Sequence, residues 1–313
     1  MSKKIVHDHN PDGIDRRGFL ECMAWAGTGV IWSVAGGVLN SRAFGQKPGE
    51  AMGDFSFVQI SDSHIGFNKP ANPDVNLTLH TAVEKINALP VQPDFIIHTG
   101  DLTHTSKPGE YDTMDQILQG AGQKQIFFVP GEHDTSADDG QQYLARYGKN
   151  TKGQGWYSFD QKGVHFIGLV NVFALEGLGK LGAEQLQWLA DDLKGRSDST
   201  PIVVFAHIPL WTVYPEWGWG TQDGAQALSY LKRFGSVTVL NGHIHQVMQK
   251  VEGNVTFHSA MSTAFPQPAP GSAPSPGPMV VPAARLQSVL GIRNVHYVAK
   301  DHSLALVDSR LDD

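Results

Sequence analysis

From Phe55 onward the chain repeats one pattern, a short apolar or alternating run that ends abruptly in Gly, Asp, Asn or His. Phe55 to Ser61 alternates and ends at Asp62-Ser63-His64. Phe95 to Thr99 runs into Gly100-Asp101-Leu102-Thr103-His104, and Gln125 to Val129 empties into Pro130-Gly131-Glu132-His133-Asp134. Ile202 to Ala206 ends at His207, and Val237 to Leu240 ends at Asn241-Gly242-His243-Ile244-His245. Such runs, bounded by turn-forming residues, predict strands. Leu77 to Leu89, Pro108 to about Gln119, Leu181 to Leu193 and Gln226 to Phe234 carry apolar residues at helical spacing and predict helices. Asn76 is the expected cap of the first. Two alternating runs between Trp156 and Asn171, joined by Asp160-Gln161-Lys162-Gly163, predict a hairpin. Val247 to Phe257 and Val295 to Val307 predict further antiparallel strands.

The β-α-β-α-β order of the first half implies parallel strands with right-handed crossovers. Strand ends of an open α/β sheet converge on one crevice, so the five polar clusters are expected to form a single site. His98 inside a strand reads as a packed core residue, and His80 as a helix-face histidine. Trp211, Tyr214, Trp217 and Trp219 follow His207 and suit either packing or substrate contact. Residues 266–282 are dense in Pro, Gly, Ser and Ala, which predicts a flexible surface loop, with a lid over the site as the functional alternative.

Composition narrows the function classes. The 313 residues are 41% hydrophobic and 18% charged, enough apolar material for a large core. The formal charge is −7, and without residues 1–43, which carry five basic and four acidic side chains, it becomes −8. No basic stripe for nucleic acid is evident. The single cysteine, Cys22, excludes an intrachain disulfide.

Asp15-Arg16-Arg17-Gly18-Phe19-Leu20 precedes a mildly apolar, Gly- and Ala-rich run from Met23 to Leu39 and then Ser41-Arg42-Ala43. This layout resembles a twin-arginine export signal of bacteria over residues 1–45, and it implies the twin-arginine export machinery as a partner and a periplasmic or otherwise exported protein. At about 17 residues the run is short of the ~20 that a membrane span needs, so no stable span is expected in the mature form.

Asp62, His64, Asp101, Glu132, His207, His243 and His245 offer more ligands than one divalent ion needs and suit two ions sharing a carboxylate. The ordered blocks Asp62-x-His64, Gly100-Asp101, Gly131-x-His133-Asp134, His207 and Gly242-His243-x-His245 resemble those of the calcineurin-like metallophosphoesterases, from about Phe55 to His245. The resemblance implies a four-layer α/β/β/α sandwich with two mixed sheets, in one domain over residues 52–313. It also implies two metal ions, iron, manganese or zinc. One would be held by Asp62, His64 and His245 and the other by His207, His243 and the residue at 132, with Asp101 between them. A metal-bridging hydroxide would attack the phosphate ester, His133 would stabilise or protonate the leaving oxygen, and Asp134 would complete the catalytic set.

Two positions depart from the family pattern: Glu132 stands where Asn is usual, and His104 where an acid often partners the catalytic histidine. The extra anion penalises a dianionic monoester, so a phosphodiester is the expected substrate. A phosphomonoesterase and a metal-binding interaction module without hydrolysis are the alternatives. A compensating Glu132–His104 pair is a further expectation from the two changes occurring together.

Overall fold

The computed structural model describes residues 53–313 apart from 124, 174, 176, 301 and 302, together with the backbone of Val30–Ala35 and Val38–Ala43. These last two segments, β1 and β2, pair antiparallel. Arg16, Arg17 and the rest of the expected export signal lie outside the described residues. Among the described residues no helix is long and apolar enough to cross a membrane.

β3 (Phe55–Ile60), β4 (Phe95–His98) and β5 (Ile126–Phe128) are parallel neighbours connected through α1 (Val75–Asn87) and α2 (Pro108–Leu118). After α3 (Gln141–Tyr147), β6 (Tyr157–Gln161) and β7 (Val164–Gly168) form the expected hairpin. α4 (Ala183–Leu193), β8 (Ile202–Ala206), α5 (Gly224–Leu231) and β9 (Val237–Asn241) follow. The chain ends in two more hairpins, β10 (Gln249–Glu252) with β11 (Val255–Ser259), and β12 (Gly291–Val298) with β13 (Ser303–Arg310). One sheet has the order β13-β12-β3-β4-β5 and the other β10-β11-β9-β8-β7-β6. Both are mixed, because β12 lies antiparallel to β3 while β11 runs parallel to β9.

The period of two along each strand sorts its side chains into separate cores. Val58, Ile60 and Ile96 pack with Leu79, Val83, Met114 and Ile117 of α1 and α2. Ile202, Val204, Val237 and Val239 pack with Leu186, Leu189, Ala227 and Leu231 of α4 and α5. Phe57, Phe95, Ile97, Phe166, Val203, Phe205 and Leu240 meet between the sheets. The architecture is thus the expected sandwich of two mixed sheets with helices outside.

One local expectation is corrected, and two features go beyond what the sequence pattern encodes. Asp74, not Asn76, caps α1, with its carboxylate accepting from Leu77 N at 3.0 Å. α3, at seven residues, is too short to display a helical apolar period and has no counterpart in the sequence pattern. The last hairpin joins the first sheet, a partner choice that alternation along a strand does not encode. Phe57 is fully buried, stacked 5.0 Å from Phe95 and edge-on 5.5 Å from Phe166. Phe57→Ala is expected to cost about 3–5 kcal/mol in urea unfolding, and a loss below about 1 kcal/mol would contradict this packing.

Candidate metal centre

The polar clusters leave the C-terminal ends of β3, β4, β5, β8 and β9, and the structure brings them together at one edge of the sandwich. The exits are tight. Asp62, His64, Asp101, His243 and His245 have φ of 53°, 43°, 53°, 69° and 51°, the left-handed region that Asp and His tolerate better than most side chains. Such backbone persists only where the surroundings over-determine it. Here Asp62 N donates to Gly100 O at 3.0 Å, His64 N to Asp101 O at 2.9 Å, and His243 N to the Asp62 carboxylate at 3.0 Å. Two motif glycines are required by close approach. A Cβ on Gly131 would stand 2.0 Å from Asp101 Oδ1, and one on Gly242 would stand 2.1 Å from Ser61 Oγ and 2.6 Å from Asp62 Oδ2.

Seven side chains face one another across this edge. His245 Nε2 lies 3.3 Å from both Asp62 Oδ1 and His64 Nε2. His207 Nε2 lies 2.9 Å from Glu132 Oε2, and His243 Nδ1 lies 3.0 Å from Glu132 Oε1. Asp101 Oδ2 is 3.4 Å from both His64 Nε2 and His207 Nε2. Donor atoms of Asp62, His64 and His245, and likewise those of Glu132, His207 and His243, fall within 4.8 Å of one another. Buried Glu132 Oε2, His207 Nε2 and both ring nitrogens of His243 have no hydrogen-bond partner despite these short distances. Lone pairs directed at a common point are what a cation requires, and a mixed imidazole and carboxylate set suits zinc, manganese or iron.

Outer contacts fix the rings. His207 Nδ1 bonds Thr99 O at 2.7 Å and His245 Nδ1 bonds Phe265 O at 2.5 Å, so each proton sits on Nδ1 and each Nε2 lone pair faces inward. Burial, then the neighbouring rings of His133, His245 and His104, hold His64 well below the ordinary imidazole range, in the neutral form a ligand needs. Burial opposes the Glu132 anion, but His243 and His207 keep its carboxyl well below the usual range. Asp62, against the same burial, is brought down to about 2 by His245 and His207.

In the Gly131–Asp134 turn, the 3-10 helix Glu132–Asp134 carries the key side chains. His133 N donates to Asp101 Oδ1 at 2.9 Å, and its Nδ1 bonds the main-chain carbonyl of His104 at 2.8 Å. Burial works against a charged His133, yet Asp101 and Glu132 carry its pKa above the ordinary value. Asp134, expected in the catalytic set, makes its contacts with the main chain of the neighbouring exits. It is fully buried, accepting from Leu102 N, Thr103 N, Thr103 Oγ1 and Gly131 N at 2.8–3.0 Å, and so clamps the β4 and β5 exits together. Burial and then Asp101 push its carboxyl up to about 7, against the pull of those N–H donors. The expected Glu132–His104 pair is corrected. Glu132 faces His207 and His243, while His104 stacks on His133 with ring centroids 4.7 Å apart.

Other expectations hold. His98 is a buried core residue bonded to Ser63 Oγ at 2.9 Å, with a pKa lowered by burial to about 3, and His80 is exposed on α1. Trp219 is fully buried and Trp211 packs on Phe257, so part of the aromatic patch is core. The Pro-rich loop is tied to the site. Gln246 Nε2 donates to Pro268 O at 2.7 Å, and Gln267 Nε2 to His243 O at 3.1 Å. Sequence reasoning did not find Thr99, Phe265, or the buried Gln59 and Arg293 beneath the site, because their part is played by carbonyls or by amide and guanidinium contacts that leave no motif.

The calcineurin-like phosphoesterase family profile matches residues 55–247, a span that contains every one of these clusters. A 3',5'-cyclic-nucleotide phosphodiesterase of Nostoc sp. is 25% identical over 217 residues, covering 67% of this chain and 79% of that protein. A serine/threonine-protein phosphatase of Danio rerio is 28% identical over 229 residues, covering 63% of this chain and 72% of its own. Among solved structures, a purple acid phosphatase from yellow lupin seeds superposes with a TM-score of 0.61 at 15% identity, over 88% of this chain and 55% of the lupin chain, a likeness of fold alone. With its five strand-end clusters gathered at one edge of two stacked sheets, the chain belongs to the calcineurin-like phosphoesterase family.

Proposed function

We propose that this protein is an exported phosphodiesterase with a two-ion centre. The observation that carries the reading is the position of Asp101 Oδ2, 3.4 Å from His64 Nε2 on one side and 3.4 Å from His207 Nε2 on the other, between the two triads. Asp62, His64 and His245 would hold one ion and Glu132, His207 and His243 the other, with Asp101 within reach of both sets. The chemistry that metal ions would supply at these residues is Lewis-acid activation of water and charge neutralisation at the phosphate oxygens. His133, its Nδ1 spent on His104 O, has Nε2 left to protonate the leaving alkoxide. Beside it a cleft of about 360 Å³, lined by Thr135, Ser136, Asp139, Val172 and Phe173, receives the leaving alcohol. Asp134 keeps Gly131–Asp134 in register with Asp101 without touching the ester.

Glu132 supports the diester over the monoester, because a third carboxylate at the ions repels a phosphate dianion more than a monoanion. The likeness to the Danio rerio phosphatase supports the monoesterase as the second reading. Export by the twin-arginine route is supported by Arg16-Arg17 and the weak apolar run that follows.

A chelator is expected to abolish hydrolysis of an aryl phosphodiester, and manganese, iron or zinc to restore it. Two bound ions with no turnover under any loading would leave the interaction module standing instead. In Glu132→Asn the ratio of monoester to diester kcat/KM is expected to rise about tenfold, as removal of one nearby charge at ~1–2 kcal/mol would give. An unchanged ratio with unchanged metal content would remove Glu132 from the specificity argument. Replacing Arg16 and Arg17 together by Lys is expected to retain the protein in the bacterial cytoplasm on fractionation, and undiminished export would overturn that route.

A further inference from the structure

His64 is held differently from His207, His245 and His133. His207, His245 and His133 each direct Nδ1 at a main-chain carbonyl, whereas His64 Nδ1 lies 3.4 Å from the Nδ1 of a side chain, His104. The inward nitrogen of His64, Nε2, faces Asp101 Oδ2 and His245 Nε2. A lone pair on Nε2 puts the proton on Nδ1, so His104 Nδ1 must be the acceptor, with its own proton on Nε2. His104 is fixed for this task on both faces. Its ring stacks on His133 at 4.7 Å and 17°, and meets Phe67 edge-on at 5.1 Å. Its segment is anchored by Glu110, which accepts from Thr105 N at 2.8 Å, and by Ser106 Oγ donating to His133 O at 2.6 Å.

We propose that His104 is a positioning residue for the metal centre. Its imidazole sets the tautomer and orientation of His64 at the Asp62/His64/His245 position, while its carbonyl sets those of His133. A side-chain acceptor thus stands where the neighbouring ligands use the main chain, and one residue couples the first ion to the proton donor. A neutral acceptor also makes His64 a more basic ligand than a solvent-facing ring would be. This inference rests on the two-ion reading above and adds a residue outside its ligand set.

The test compares His104→Phe, which keeps the stacked ring without the acceptor, with His104→Asn, whose amide oxygen falls near the position of the lost Nδ1. Both are made in the full-length protein and in a His243→Ala background that leaves the Asp62/His64/His245 position intact. Chelator competition with zinc or manganese is expected to show affinity at that position about 10–100-fold weaker in the Phe variant. The Asn variant is expected to stay within about threefold of the parent. Phe binding as tightly as the parent, or Asn and Phe losing affinity alike, overturns the proposal. Nitrogen-15 NMR of the His64 ring gives a readout independent of metal, with Nδ1–H expected in the parent and in Asn but not in Phe. A parent that binds no ion would refute the two-ion reading, and the His64 tautomer would still decide the role of His104.

Discussion

Nitrogen and carboxylate lone pairs directed at one another over 2.9–3.9 Å, in a space almost closed to water, are the condition the rest of this structure serves. Without a cation such groups repel or demand protons, and a buried polar atom without a partner costs about 1–3 kcal/mol. The left-handed exits from β3, β4 and β9 are the second cost of the same arrangement. Both are tolerated because each exit is hydrogen-bonded to a neighbouring exit. Asp62 N takes Gly100 O, His64 N takes Asp101 O, and Asp134 gathers the backbone of residues 102, 103 and 131.

Beneath the centre a polar layer joins the two sheets. Gln59 donates to Thr99 Oγ1 and Asn241 O, and Arg293, 1% exposed, bonds Gln59, Ser259 O and both oxygens of Asp308. These contacts connect β3, β4, β9, β11, β12 and β13 immediately below the ligands. A one-residue slip in β3, β4 or β9 would send its ligand-bearing end to the opposite face, so the layer holds register where error would matter most. Aromatic packing between the sheets secures the separation, with Phe57 and Phe166 filling the gap.

Glu132 and His104 are the two positions that depart from the pattern expected of the resemblance, and the structure gives them separate contacts. Glu132 belongs to the second triad, its carboxylate set between the imidazoles of His207 and His243. His104 belongs to the first, through His64, and offers His133 a main-chain carbonyl. A neutral acceptor stabilises an imidazolium less than an anion does, so the charge that raises His133 comes instead from Asp101 and Glu132.

The sequence by itself marked the strands, the helices and the candidate ligands, and its resemblance to a known family implied the layers. The alternating run Phe55–Ile60 and the continuous apolar run Ile202–Ala206 mark strands, and Asp62, His64, Asp101, His207, His243 and His245 are legible because each stands just past such a run with a side chain able to hold a metal. It also marked Glu132 and His104 as unusual, without saying what each touches. Only the tertiary structure decided that the final hairpin extends the first sheet, that Asp134 is a clamp, and that His104 reaches His64 rather than Glu132. The reason is physical. Side-chain identity and period are local properties of the chain, whereas strand partners and ring orientations are set by hydrogen bonds to carbonyls such as Thr99 O and Phe265 O, which every residue carries alike.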